Sequence, residues 1–98
     1  MSFSGGEMTI SVARSSAIVG FTAGLHLRVV TALSRLVADF ESDVVLGWQG
    51  KQVDVRNVVS MLTLAVDYGA EVEIQATGRD ALETVDAVIS FLITGHQY

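Results

Sequence analysis

The segment Gly24-Leu25-His26-Leu27-Arg28 holds the residues of this chain best suited to chemistry. His26 stands where a run of small and polar residues, Thr22, Ala23 and Gly24, gives way to apolar residues at helical spacing, continuing to Phe40. A helix start leaves backbone N–H groups without intrahelical acceptors and carries the positive end of the helix dipole, so it favours anions. An imidazole placed there can take up a phosphoryl group whose oxygens those amides then hold. Arg28 adds a cation with several donors. The helix dipole disfavours a cation in the first turn by about 0.3–1 kcal/mol, so Arg28 points to a task other than helix stability. The chemistry implied is reversible phosphorylation of His26.

No second constellation competes. His96, in the tail, has no clustered partner and reads as a surface residue. The two histidines are far apart and there is no cysteine, so no metal-ligand spacing appears and no metal or other cofactor is expected. Asp39, Glu41 and Asp43 form a small acidic group that reads as a solvated loop. No nucleophile–base pair, phosphate-binding glycine loop or dinucleotide fingerprint is present.

The elements that must hold His26 are read from periodicity. Val30, Leu33, Val37 and Phe40, widened by Val29 and Leu36, predict an amphipathic helix from Leu27 to Asp39. Leu82, Val85, Ile89 and Leu92 predict a second helix with Asp80 as its N-cap, leaving Phe91 and Ile93 off the stripe. From Asn57 to Tyr68 the chain is apolar with little alternation. With Asn57 as N-cap and Gly69 as terminator, that stretch reads as a short helix. Alternation marks strands at 71–76, at Val44, Leu46 and Trp48, at Val53 and Val55, and at Ala17, Val19 and Phe21. Gln49-Gly50 supplies a tight hairpin turn. Residues 8–13 could form a further strand, joined to the next through Arg14-Ser15. The order strand, helix, strand, strand, helix, strand, helix fits an α+β fold, an antiparallel four-stranded sheet covered by three helices on one face.

Composition narrows the function. The 98 residues make one domain, with 50% hydrophobic and 17% charged residues and no proline, which argues for a packed core and against disorder. A net charge of −5 with six Lys and Arg argues against nucleic-acid binding. No apolar run is long enough to span a bilayer, and the N-terminus lacks the basic and apolar regions of a signal peptide, so no membrane partner and a cytoplasmic location are expected.

The motif at Gly24, Leu25, His26 and Arg28 resembles the active-site segment of the HPr family, the histidine-containing phosphocarriers of the sugar phosphotransferase system. It departs at Val29 and Val30, where the family carries Pro and Ala, and at Leu27, where a small residue is usual. The resemblance spans roughly Ser16 to the final helix. Residues 50–53 resemble the family's second hairpin, 57–64 its short second helix, and 69–72 with 76–78 the strand that follows. It implies the same open-faced sandwich over residues 16–98, with residues 1–15 as an N-terminal extension. It also implies that His26 is phosphorylated on Nδ1, that Leu27 and Arg28 contact the phosphoryl group, and that Leu27, Thr31, Val58, Val59 and Leu62 form a docking surface. Val58 and Leu62 equally fit a core stripe; Val59 lies off it. The implied partners are an enzyme I-type donor and an enzyme IIA-type acceptor, with transcriptional or metabolic regulators as further candidates. Such a carrier is a phosphorylated intermediate for other enzymes. At Asn57 many family members carry a serine that a dedicated kinase phosphorylates; asparagine keeps the cap but not the modification, and nearby Ser60 is offset by nearly a helical turn. Two other readings stand beside the carrier: a regulatory binding module with little or no phosphotransfer, and an assembly protein pairing through an edge strand at residues 8–13.

Overall fold

A computed structural model describes residues 10–94. The elements are β1 (Ser11–Ile18), α1 (Leu27–Ala38), β2 (Asp43–Trp48), β3 (Lys51–Asp54), α2 (Val58–Leu64), β4 (Glu71–Gly78) and α3 (Ala81–Thr94). The strands form one antiparallel sheet in the order β1-β4-β2-β3. This is the α+β sandwich that the periodicity predicts. The sheet's inward positions Ala17, Val44, Leu46, Val72, Ile74 and Ala76 are buried against Val29, Val30, Leu33 and Val37 of α1, Met61 and Leu64 of α2, and Val85, Val88, Phe91 and Leu92 of α3. Arg14, Ser16, Gln52, Glu71 and Glu73 remain exposed on the other face.

Several boundaries differ from the sequence reading, each for a tertiary reason. β1 is a single strand running through Arg14 and Ser15 and paired residue by residue with β4, from Ser11 opposite Gly78 to Ile18 opposite Glu71. It crosses the expected boundary between residues 15 and 16, because a strand's length is set by its partner, and β4 is equally long. Met8 and Thr9 lie outside the described residues. Val19 and Phe21 follow the strand and are still buried: the Val19 N–H donates to the Ala70 carbonyl, and the Phe21 and Phe91 rings pack 5.1 Å apart.

α2 ends at Leu64 instead of continuing to Tyr68, with Ala65 in the left-handed region at φ 55°. Gly69 belongs to the turn leading into β4, where its N–H donates to the Val19 carbonyl. In α3, Leu82 is exposed while Phe91 is buried, so the core-facing stripe is rotated from the one expected. The helix lies against β1, β4 and α1, and those neighbours select Ala81, Thr84, Val88 and Phe91 as well as Val85 and Leu92. At the β2–β3 hairpin both Gln49 (φ 52°) and Gly50 (φ 81°) are left-handed, the conformation of a two-residue turn matched to strand twist.

Asp80 has a wider task than the helix cap read from sequence. Its carboxylate accepts from the Glu41 N–H, the Ser42 N–H and the Ser42 hydroxyl at 2.9, 2.9 and 2.6 Å, while the Thr84 hydroxyl donates to it at 3.2 Å. It therefore clasps the loop after α1 to the start of α3. These donors, led by the Ser42 hydroxyl and the Glu41 amide, hold its pKa below the ordinary carboxylate range despite an opposing contribution from desolvation.

Candidate functional site

His26 is the N-cap residue of α1, in extended conformation (φ −85°, ψ 178°). Its carbonyl accepts from the Val30 N–H at 2.9 Å, closing the first helical turn. Its Nδ1 accepts from the Arg28 N–H at 3.3 Å. The amides of Leu27, Arg28 and Val29 precede the first intrahelical donor, so this turn directs backbone donors towards the ring. A ring nitrogen that accepts a hydrogen bond carries a lone pair; in the neutral imidazole the proton then sits on Nε2. The bond is long, so the lone pair is only lightly engaged.

The loop that presents His26 is fixed from behind. The Gly20 N–H donates to the Leu92 carbonyl of α3, the Gly24 N–H to the Phe21 carbonyl, and the Leu25 N–H to the Val66 carbonyl at 2.9 Å. Gly24 adopts φ 70°, and a Cβ there would collide with the Val66 carbonyl oxygen and come within 3.0 Å of the Asp67 Cα. The glycine of the motif is thus required both by its backbone conformation and by the chain lying directly against it. Leu25 is buried and His26 half-buried, so the loop is anchored on its inner side and open on its outer side.

Arg28 is exposed, and its guanidinium has no hydrogen-bond or ion-pair partner among the described residues. It lines a shallow groove along α1 with Thr31, Ala32, Arg35, Leu36 and Asp39. Of these, Arg35 is the cation that the motif did not point to; its spacing, two helical turns from Arg28, was the available signal. Val29 and Val30, the departures from the family pattern, are buried in the core, at 2% and 0% exposure. Their side chains support the turn from beneath, and the Val29 N–H lies where the missing intrahelical acceptor makes a proline equally acceptable.

Among the residues expected to dock partners, Leu27 and Val59 are exposed large apolar side chains, at 58% and 70%. Thr31 is half-buried, and Val58 and Leu62 are half-buried against the core, so their side chains share core and surface roles. α1 and α2 pack on one another. Asn57 caps α2, its Oδ1 accepting from the Ser60 N–H at 3.0 Å. His96 lies outside the described residues. Among the described residues no group of His, Cys, Asp and Glu could hold a metal ion.

A family model for the PTS HPr component phosphorylation site matches residues 13–94. The chain belongs to the HPr family. A phosphocarrier protein HPr from Mycoplasma capricolum subsp. capricolum is 29% identical over 82 residues, covering 84% of this chain and 92% of that protein. The crystal structure of a phosphocarrier protein HPr from Bacillus anthracis superposes with a TM-score of 0.80 at 22% identity, covering 84% of this chain and 98% of the other. A Mycoplasma histidine-containing phosphocarrier protein superposes with a TM-score of 0.74 at 30% identity, covering 85% and 100%. HPr proteins are phosphocarriers of the phosphotransferase system and not themselves enzymes. No helix among the described residues is long and apolar enough to cross a membrane.

Proposed function

We propose that this chain accepts a phosphoryl group on His26 Nδ1 from an enzyme I-type phosphohistidine donor and passes it to an enzyme IIA-type acceptor. The observation that carries this reading is the position of Nδ1, an acceptor at the N-terminus of α1 facing the Arg28 amide. In the first transfer the Nδ1 lone pair forms a P–N bond while the donor's P–N bond breaks. The Arg28 N–H, released from Nδ1, turns to a phosphoryl oxygen together with its neighbours in the turn. The dipole of α1 and the unpaired Arg28 guanidinium stabilise the negative charge of the group in flight. His26 is half-buried and Leu27 and Arg28 are exposed, which keeps the phosphoryl group accessible for the second transfer. The donors and acceptors dock on Leu27 and Val59, with Thr31, Val58 and Leu62 beneath them. Since phosphoenolpyruvate-driven donors act inside the cell, the reading places the chain in the cytoplasm.

The test is incubation with an enzyme I and phosphoenolpyruvate, followed by intact mass. The expected result is a single acid-labile, base-stable phosphoryl group, lost in His26→Ala. Phosphate on His26→Ala, or on His96, would overturn the assignment. A folded wild-type chain that takes up no phosphate would instead support the regulatory-module reading.

A further inference from the structure

We propose that Asp67 opposes the charge of the phosphoryl group on His26 and so raises the tendency of the chain to give that group away, an inference that rests on the transfer reading above. Asp67 opens the turn between α2 and β4, in which the Ala70 N–H donates to the Asp67 carbonyl at 3.2 Å. This segment is bound to the loop carrying the phosphoacceptor at three points. The Leu25 N–H donates to the Val66 carbonyl, the Gly69 N–H to the Val19 carbonyl, and the Val19 N–H to the Ala70 carbonyl, each at 2.9 Å. A Cβ on Gly24 would stand 3.0 Å from the Asp67 Cα. Gly24 is two residues from His26, so the Cα atoms of Asp67 and His26 lie within about 12 Å of one another.

Asp67 is exposed, and its carboxylate has no hydrogen-bond or ion-pair partner among the described residues. Its charge is therefore not compensated by contact. The other groups at the site act in the opposite sense. The first amides of α1, the helix dipole and the Arg28 guanidinium all favour negative charge on His26. Each stabilises the phosphorylated form, and a carrier stabilised too far would keep its cargo. Like charges about 10 Å apart at a protein surface repel measurably at low salt and are screened at high salt. When the P–N bond forms on Nδ1, the new negative charge meets the field of Asp67. When that bond breaks and the group moves to the acceptor, the repulsion is relieved. The effect acts on the equilibrium between the two forms and needs no contact between the carboxylate and the phosphoryl oxygens.

The test measures that equilibrium. The full chain is mixed with an enzyme I, phosphoenolpyruvate and excess pyruvate, and the phosphorylated fraction is read by intact mass. Phosphoenolpyruvate yields its phosphoryl group to the enzyme I histidine and, taking up a proton on carbon, becomes pyruvate. The group then passes to Nδ1, so the ratio of the two small molecules fixes the phosphoryl potential. At about 10 mM ionic strength Asp67→Asn should raise the equilibrium constant for phosphorylation about 1.5- to 3-fold, and Asp67→Lys about 2- to 9-fold. Asp67→Glu, which restores the charge, should return to the parent value. At about 1 M salt, where the Debye length is about 3 Å, the four chains should converge. A purely structural role in the turn would not show this salt dependence. An equilibrium constant unchanged in both Asp67→Asn and Asp67→Lys, or a shift that persists at high salt, would overturn the proposal. A folded parent chain that takes up no phosphate at any ratio would overturn the transfer reading itself, and this proposal with it.

Discussion

Replacing Gly24 by alanine tests whether the loop behind the motif holds His26 in place. Two costs fall on this substitution. The first is conformational: an L residue at φ 70° is disfavoured by about 1–2 kcal/mol. The second is the close approach of the 66–67 segment, since the new Cβ would meet the Val66 carbonyl and stand 3.0 Å from the Asp67 Cα. Backbone cannot yield as a side-chain tip can, so either Gly24 or Val66 must move. That movement strains the Leu25 N–H bond to the Val66 carbonyl, worth about 0.5–1.5 kcal/mol. Together the loss is about 1.5–3.5 kcal/mol, or roughly 6–28 °C in midpoint for a domain of this size. Gly50→Ala is the matched control: its φ is 81°, but nothing lies within 4 Å of the new Cβ, so only the conformational cost applies. Urea and thermal unfolding of both variants measure the stability difference. Phosphoryl uptake below the midpoint measures the functional one. Gly24→Ala should be the less stable variant and should also transfer more slowly while folded, whereas Gly50→Ala should transfer like the parent. Equal stability losses would refute the close approach as the cause, and unimpaired transfer in Gly24→Ala would refute the claim that this contact positions His26.

Three further outcomes are expected. Arg28→Ala should slow phosphoryl transfer with a thermal midpoint unchanged or slightly raised, because the guanidinium binds nothing among the described residues and a cation in a first turn is disfavoured by the helix dipole; rate and midpoint measured on one sample decide this. Asn57→Ala should cost about 1 kcal/mol in urea unfolding by removing the acceptor of the Ser60 N–H, while Asn57→Ser should be nearly neutral and restore a target for the family's serine kinase that the parent chain lacks; phosphopeptide mapping that finds Ser60 modified in the parent would refute the second half. Asp80 has a lowered folded pKa, so its contribution to stability is complete above its unfolded pKa and disappears as pH falls through the folded one. Asp80→Asn should therefore be less stable than the parent at neutral pH, with the gap closing in acid; a pH-independent gap would show that the ionised carboxylate is not what the 41–42 loop requires.

Information about the site and about the fold is distributed differently along the chain. The sequence by itself determined the pairing of His26 with a helix start and with Arg28, because these residues are neighbours and a helix end is a local event. It also determined the element order and the capping role of Asn57, through periods and short-range hydrogen bonds that span only a few residues. Tertiary structure decided what depends on distant partners. β4 draws β1 out to Ser11, although the stretch around Arg14 and Ser15 has no apolar alternation to announce it. The neighbours of α3 bury Phe91 and leave Leu82 in solvent, a rotation that the mixed apolar surface of this helix permits equally well in isolation. Asp80 looks like an ordinary cap until the fold brings Glu41 and Ser42, some forty residues away, against its carboxylate. The need for glycine at position 24 is likewise legible in the motif, but its cause, the 66–67 backbone pressed against it, exists only once the loops have been folded together.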